Sequence, residues 1–256
     1  MGAGEKRLSE KRALVTGAGR RIGRAIALAL AREGADVAVH FQNSERQAAK
    51  LATEIEDLGS RAVLLAADLS DSDELAGVVQ RATSALGKLE ILVNNASIFP
   101  FDTLETITLE NLQRNVAVNA WAPLSLTRAF AAQTGCGHVV NVIDSRIIGF
   151  DRAHLSYILS KHVLAAITKL TALELAPGIS VNGVAPGLIL PPAGEDDSYV
   201  ERLISTLPLL RSGNSEDIAD AVVFLVTSRF ITGEVIYVDG GRHLKEYSPG
   251  GPDTNQ

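Results

Sequence analysis

A single cysteine, Cys136, stands in a chain of 256 residues. One thiol cannot build a disulfide framework within the chain, and its isolation fits a reducing compartment. Placed just before a strand, Cys136 reads as a small apolar residue rather than a nucleophile. Excess charge is also scarce: 24 Lys and Arg against 30 Asp and Glu leave a net −6. With no basic run and no interleaving of aromatic and basic residues, nucleic acid is not an expected partner. No apolar run reaches spanning length, so no membrane segment is expected. The opening MGAGEKRLSEKR has no apolar stretch of the kind a secretory leader carries, and Lys6 stands where a myristoylation signal wants Ser or Thr. A cytoplasmic protein is the expectation. The five histidines (His40, His138, His154, His162 and His243) show no metal-ligand spacing, and no metal is expected. They read as surface or strand-end residues, except His154, which stands one turn before Tyr157 where it could line a pocket.

What the chain has in quantity is apolar sequence, 46% of residues, ample for one large core. It is dealt out in alternation. Ala13-Leu14-Val15-Thr16 is a short apolar run ending in Gly17-Ala18-Gly19-Arg20-Arg21-Ile22-Gly23. A helical pattern follows, with Ile22, Ile26 and Leu30 on one face and Gly34 as its stop. Strand, glycine-rich turn and helix together aim backbone N–H groups and a helix N-terminus at a pyrophosphate. The pattern then repeats. Strands are expected at 37–41, 62–67, 89–93, 139–143, 179–184 and 235–238. Helices are expected at 45–58, 71–86, 109–132, around Tyr157 and Lys161, and at 215–227, with a polar excursion from Pro191 to Ser198. Such alternation predicts a single-domain, doubly wound, Rossmann-like parallel α/β sheet of about seven strands, with helices on both faces. Residues 1–247 form that domain, and 248–256 read as a disordered tail.

The second strand ends in His40-Phe41-Gln42-Asn43-Ser44, with no acid before Glu45. An NAD-specific site wants a carboxylate there for the ribose 2′-OH. Arg20 and Ser44 could instead receive a 2′-phosphate, which predicts NADPH. Ser44-x-x-Gln47 is also a capping box for the next helix. Further on, Tyr157 and Lys161 stand four residues apart, on one face of a helix. An ammonium roughly 4 Å from a phenol, at an effective dielectric of about 20, is worth about 4 kcal/mol, or around three pKa units. The pair is a plausible proton-handling device, although tyrosines at this spacing from lysines are commonly surface decoration.

These motifs, taken in order, resemble the short-chain dehydrogenase/reductase family over nearly the whole chain. The residues that carry the resemblance are Thr16-Gly17…Gly23, Asp68, Asn94-Asn95-Ala96, Asn119, Tyr157…Lys161, Pro186-Gly187 and Asp239-Gly240. The resemblance implies that Tyr157 exchanges the proton. It also implies that Lys161 binds the nicotinamide ribose and tunes Tyr157, and that Asn119 holds a water leading to bulk. Three departures are similar to the pteridine reductase branch. Arg21 replaces the middle glycine of the turn, and Asp144 stands where the family serine is expected, with Ser145 beside it. Ser97-Ile98-Phe99 follows Asn94-Asn95-Ala96, with Phe99 as a stacking ring. His154 departs from that branch, which often carries an aromatic there.

By this resemblance the catalytic residues are Asp144, Tyr157, Lys161 and Asn119. NADPH would contact Gly17, Arg20, Arg21, Ile22, His40, Phe41, Ser44, Asp68, Leu69, Asn95, Ala96, Ser97, Tyr157, Lys161, Pro186 and Gly187. A pterin-like small molecule would meet Arg21, Ser97, Phe99, Asp144 and Tyr157. The resemblance also implies a homotetramer or homodimer built on the helices holding Asn119 and Tyr157. The expected activity is NADPH-dependent reduction of a pterin or dihydropterin C=N bond. Two alternatives stand beside it: a carbonyl reductase of 3-oxoacyl-thioester or sugar type, and a non-catalytic cofactor-binding sensor or scaffold.

Overall fold

The computed structural model describes residues 6–148, 152–191 and 196–245; the expected tail at 248–256 lies outside the described residues. Seven parallel strands form one sheet in the order β3-β2-β1-β4-β5-β6-β7. They are β1 (Arg12–Val15), β2 (Asp36–Phe41), β3 (Ala62–Ala66), β4 (Ile91–Asn94), β5 (Gly137–Val142), β6 (Ile179–Pro186) and β7 (Val235–Val238). Between them run α1 (Arg21–Arg32), α2 (Glu45–Asp57), α3 (Ser72–Leu86), α4 (Leu109–Val116), α5 (Ala122–Gln133), α6 (Leu155–Leu175), α7 (Asp197–Ile204), α8 (Ser215–Thr227) and α9 (Arg242–Lys245).

Successive strand residues point to opposite faces, and the core divides accordingly. Val15, Val37, Val39, Ile91, Val93 and Val184 pack beneath α1, α2 and α8, against Ile26, Leu30, Leu51 and Val222. Their neighbours Leu14, Ala38, Leu92, Val139 and Val181 pack beneath α3 and α5, against Val78, Leu126 and Phe130. Both faces are covered, which is why the strands read as nearly unbroken apolar runs. Strand order reverses between β1 and β4, and the crevice beyond the strand ends at such a switch point is where ligands enter sheets of this kind.

Three expectations require correction. The helix expected over 109–132 is interrupted by a π-turn, Ala117–Trp121, that contains Asn119; side-chain periodicity is blind to one residue of extra register. The polar stretch after Pro191 leads into α7, and α9 follows β7; both helices are short, and neither has a long apolar period to betray it. Ser44 occupies the N-cap of α2 but makes no side-chain capping bond, so the capping box is not formed. His40 lies at the end of β2 beside its last residue, Phe41, as the reading of a strand-end residue has it, and is 2% exposed. Among the described residues no helix is long and apolar enough to cross a membrane.

Candidate active site

The glycine turn joins β1 to α1. Gly17 is left-handed (φ 63°), and its N–H donates to His40 Nδ1 at 3.0 Å. With Nδ1 accepting, Nε2 carries the ring hydrogen and faces the Ala67 carbonyl at 3.2 Å. Burial pushes the pKa of His40 down to about 4, so at neutral pH the ring is an uncharged strut between the ends of β1, β2 and β3. Thr16 Oγ1 accepts from the N–H groups of Asn95 and Ala96 at 2.9 and 3.0 Å, and Asn95 Nδ2 returns to the Thr16 carbonyl at 2.9 Å. These bonds lock the turn after β1 to the turn after β4. A Cβ added at Gly23 would fall inside contact distance of the Gly17 carbonyl, and one at Gly19 would meet Ser44. The turn is therefore a close-fitted cradle that only glycine fills.

Helix α1 begins on Arg20, which supplies no side-chain cap, so the first-turn N–H groups remain available to an anion. Arg21 has φ 56°, a left-handed conformation that accounts for glycine at this place in the resembling family. Its Nη2 donates to the Pro191 carbonyl at 2.6 Å, linking the glycine turn to the segment beyond β6. Ser44 lies beside the turn, and Arg20 is exposed above it. Asp68 accepts from the Ser70 hydroxyl and N–H, which hold its carboxyl below the usual range. Phe41 and Leu69 bury their side chains in the core and can offer a ligand little beyond backbone. Ile22 and Ala96 are partly buried beside the turn, Pro186 ends β6, and the Gly187 N–H donates to Val238 O at 3.0 Å.

Helix α6 carries the titratable centre. Tyr157 is 7% exposed, and its hydroxyl donates to Asp144 Oδ2 at 2.8 Å. Asp144 Oδ1 accepts from the Arg146 N–H at 2.8 Å, and the Arg146 guanidinium lies 3.5 Å from Oδ2. Ser145, the alternative to Asp144, is buried at the head of a 3-10 turn. Lys161 Nζ donates to the Val142 carbonyl at 2.8 Å and stands 5.6 Å from the Tyr157 ring centroid. Burial brings the Lys161 pKa down to about 8, although Asp144 pulls it upward. The Tyr157 pKa rises well above its ordinary value through burial first and the Asp144 carboxylate second, with Arg146 opposing. The expected downward tuning of Tyr157 by Lys161 is thus outweighed, first by burial and then by the carboxylate on its hydroxyl.

Phe99 closes the wall of the site. Its ring stacks on His154 at 3.8 Å and 16° and meets Tyr157 edge-on at 4.5 Å, with the Arg146 guanidinium 5.3 Å from its centroid. The expectation of a ring that stacks a substrate must therefore accommodate a histidine already on it. Asn119 is fully buried in the π-turn. Its Oδ1 accepts from Ser97 Oγ and the Ile98 N–H at 3.0 and 2.9 Å, and its Nδ2 donates to Ile98 O and Ser160 Oγ, both at 3.0 Å. Both polar atoms of the Asn119 side chain are thus engaged by protein groups. Arg146 was not anticipated from sequence; its signal was position, two residues beyond an out-of-place aspartate.

The family described as enoyl-(acyl carrier protein) reductase matches residues 17–243. FolM alternative dihydrofolate reductase 1 from Brucella canis, solved in complex with NADP, superposes with a TM-score of 0.91 at 35% identity, over 97% of this chain and 99% of that one. The promiscuous reductase LugOII, which catalyses a keto-reduction in lugdunomycin biosynthesis, gives a TM-score of 0.87 at 37% identity, over 93% and 99%. The 3-oxoacyl-[acyl-carrier-protein] reductase FabG of Staphylococcus aureus is 34% identical over 244 residues, 91% of this chain and 98% of FabG. With a cradle for phosphate at the switch point and a Tyr-Lys pair beside it, the chain belongs to the short-chain dehydrogenase/reductase family.

Proposed function

We propose that the protein is an NADPH-dependent reductase of a pterin or dihydropterin C=N bond. The observation that carries this reading is the carboxylate of Asp144 against the Tyr157 hydroxyl, at 2.8 Å. In ketone reduction, negative charge develops on the substrate oxygen, and neutral donors stabilise it. A carboxylate at that place opposes the charge. When a C=N bond is reduced, nitrogen gains a proton and the ring takes on iminium character, which a carboxylate favours.

The cradle of Gly17, Gly19 and Gly23 and the uncapped start of α1 fit a dinucleotide pyrophosphate. Arg20, Ser44 and the absence of an acid at the end of β2 fit a 2′-phosphate. NADPH, when bound, supplies the hydride. The chain's own part is the proton: Tyr157, held protonated by burial and Asp144, gives its hydroxyl hydrogen to the substrate nitrogen. Lys161, buried beside it, offers a cation to the ribose, and Arg21 offers donors to the pterin edge. Trp121, Leu159, Val163, Leu170 and Leu173 stand exposed on the π-turn and α6, which supports association of two or four copies through these helices.

A carbonyl reductase of the same family is the second reading. The His154 ring on Phe99 favours it, since the stacking face that a pterin needs is already contacted, and FabG and LugOII are named for carbonyl chemistry. Steady-state NADPH oxidation with a panel of dihydropterins beside a panel of ketones decides between them. Turnover of dihydropterins is the expected result. Good ketone turnover with none on pterins would overturn the proposal, and no turnover of either would leave the sensor reading.

A further inference from the structure

Helix α6 starts without a side-chain cap of its own. Its N-cap residue, His154, is left-handed (φ 61°, ψ 38°) and makes no capping bond. A side chain in that conformation persists only where its surroundings hold it. Here three consecutive residues do so: Phe99 stacks on the imidazole, Phe101 meets it edge-on at 5.5 Å, and the Pro100 carbonyl lies 2.7 Å from Nδ1. The next residue of the same loop supplies the missing cap. Asp102 is 1% exposed, and its Oδ1 accepts from the Ser156 N–H at 3.1 Å, while its Oδ2 accepts from the Ser156 hydroxyl.

The hydrogen bonds then run back to where the loop began. Ser156 Oγ accepts from Asn115 Nδ2 at 2.9 Å, and Asn115 Oδ1 accepts from Asn119 Nδ2 at 3.4 Å. Asn119 holds both backbone groups of Ile98. The chain from Ile98 to Asp102 closes the ring. Tyr157 is the residue directly after Ser156, and Phe99 lies inside the ring's loop. The body of α6 is anchored elsewhere, by Leu164, Thr168 and Ala172 buried along its length. The first turn is held by this ring together with the buried side chains of Tyr157 and Ile158 and the Tyr157–Asp144 hydrogen bond, and the ring is what fixes its backbone start.

We propose that Asp102 is a positioning residue for Tyr157. By capping the first turn of α6 from a loop that also carries Phe99, it sets the proton donor and the aromatic wall in one geometry. A tyrosine hydroxyl is the far end of a long rigid side chain, so a small rotation of the first turn moves it off its target. A displacement near 1 Å costs about a hundredfold in rate. The inference rests on the reading of Tyr157 as proton donor.

The test compares Asp102→Ala, Asp102→Asn and Ser156→Ala with the wild type, and Asp102→Ala again in a Tyr157→Phe background. Two readouts are taken. One is kcat with NADPH and whichever of 7,8-dihydrobiopterin or acetoacetyl-CoA the wild type reduces, with the NADPH Kd by calorimetry. The other is hydrogen exchange of peptides covering 154–158 and 165–175, which needs no substrate. Asp102→Ala is expected to lower kcat about a hundredfold while the NADPH Kd stays within roughly threefold. Exchange at 154–158 should quicken by about tenfold or more and 165–175 stay unchanged. Asp102→Asn, which keeps one acceptor, should recover part of the loss. On Tyr157→Phe the same change should add little, because it acts through the absent hydroxyl. If Asp102→Ala fails to fold, Asp102→Asn and Ser156→Ala carry the same comparisons. Unchanged exchange at 154–158, wild-type kcat, or an equal fold loss in both backgrounds overturns the positioning role. Full turnover by Tyr157→Phe itself overturns instead the proton-donor reading beneath it.

Discussion

The Tyr157 hydroxyl reaches Asp144 across 13 residues of chain and donates to its Oδ2 at 2.8 Å. Replacing the carboxylate by the serine usual in the family removes two of the three causes that raise the Tyr157 pKa and leaves burial. The phenol pKa should therefore fall. With the protonated phenol as the proposed reductive donor, the alkaline limb of the pH–rate profile should move to lower pH in Asp144→Ser. Dihydropterin turnover should be lost, with ketone turnover unchanged or improved. Dihydropterin reduction at the wild-type rate by this variant would remove the carboxylate from the mechanism.

Tyr157→Phe deletes the transferable proton and little else, because the ring keeps its edge contact with Phe99. Turnover should drop by roughly 10²–10⁴, the range for a lost general acid. NADPH binding, measured by calorimetry, should hardly change. Lys161→Ala should harm both, since it removes a cation buried beside Tyr157. If Tyr157→Phe stays fully active, water delivers the proton.

Arg20 is exposed at the head of α1 and caps nothing. On the proposed reading its guanidinium meets the 2′-phosphate that NADPH has and NADH lacks. Arg20→Ala should weaken NADPH about tenfold to a hundredfold, the worth of a charge-assisted hydrogen bond, and NADH far less. Paired titrations check this. Equal affinity of the wild type for both cofactors would sink the preference.

His40 makes the fold sensitive to acid. Its pKa is about 4 in the folded protein, against about 6.5 for a free imidazole. The unfolded chain thus binds the extra proton across that interval. The contribution is fully present above pH ~6.5 and is lost as the pH falls towards ~4, about 3 kcal/mol in all. His40→Asn, whose side chain can still accept from Gly17, should flatten this dependence. Urea unfolding of both proteins at several pH values across the window is the check, and parallel curves would refute it.

The alternation of strands and helices was legible because the inner strands β1, β2, β4, β5 and β6 are buried on both faces and helices such as α1, α2 and α3 carry one apolar stripe, so type and order followed from the pattern. Strand β7 and helix α8 fall where the sequence reading puts them. The Asp144–Tyr157 contact was legible for a different reason: a substitution out of family pattern lies next to the group it affects. The role of His40 was not, because a histidine at a strand end looks the same whether its ring faces water or two buried backbone groups. Asp102 was harder still. Its partner, Ser156, is 54 residues away, and nothing local distinguishes it from any polar residue in a loop. One clue existed: the residue before α6 is His154 rather than a Ser, Thr, Asp or Asn that would cap the helix locally, so the cap had to come from afar.

The π-turn at Ala117–Trp121 has a consequence for how this chain can vary. An α-helix turns by about 100° per residue, and a π-turn absorbs one residue that the α-helix has no place for. Helix α5, which buries Leu126 and Phe130 in the core, is therefore phased by a count, not only by the identity of its side chains. Deleting one residue between 117 and 121 would remove that surplus and leave the later residues of α5 in phase, whereas a deletion between 122 and 125 would swing them by about 100°. The second change would carry Phe130 out of the core although no apolar residue had been replaced. Length can change by one where the π-turn holds its surplus residue, but not along α5 itself, however apolar its sequence stays.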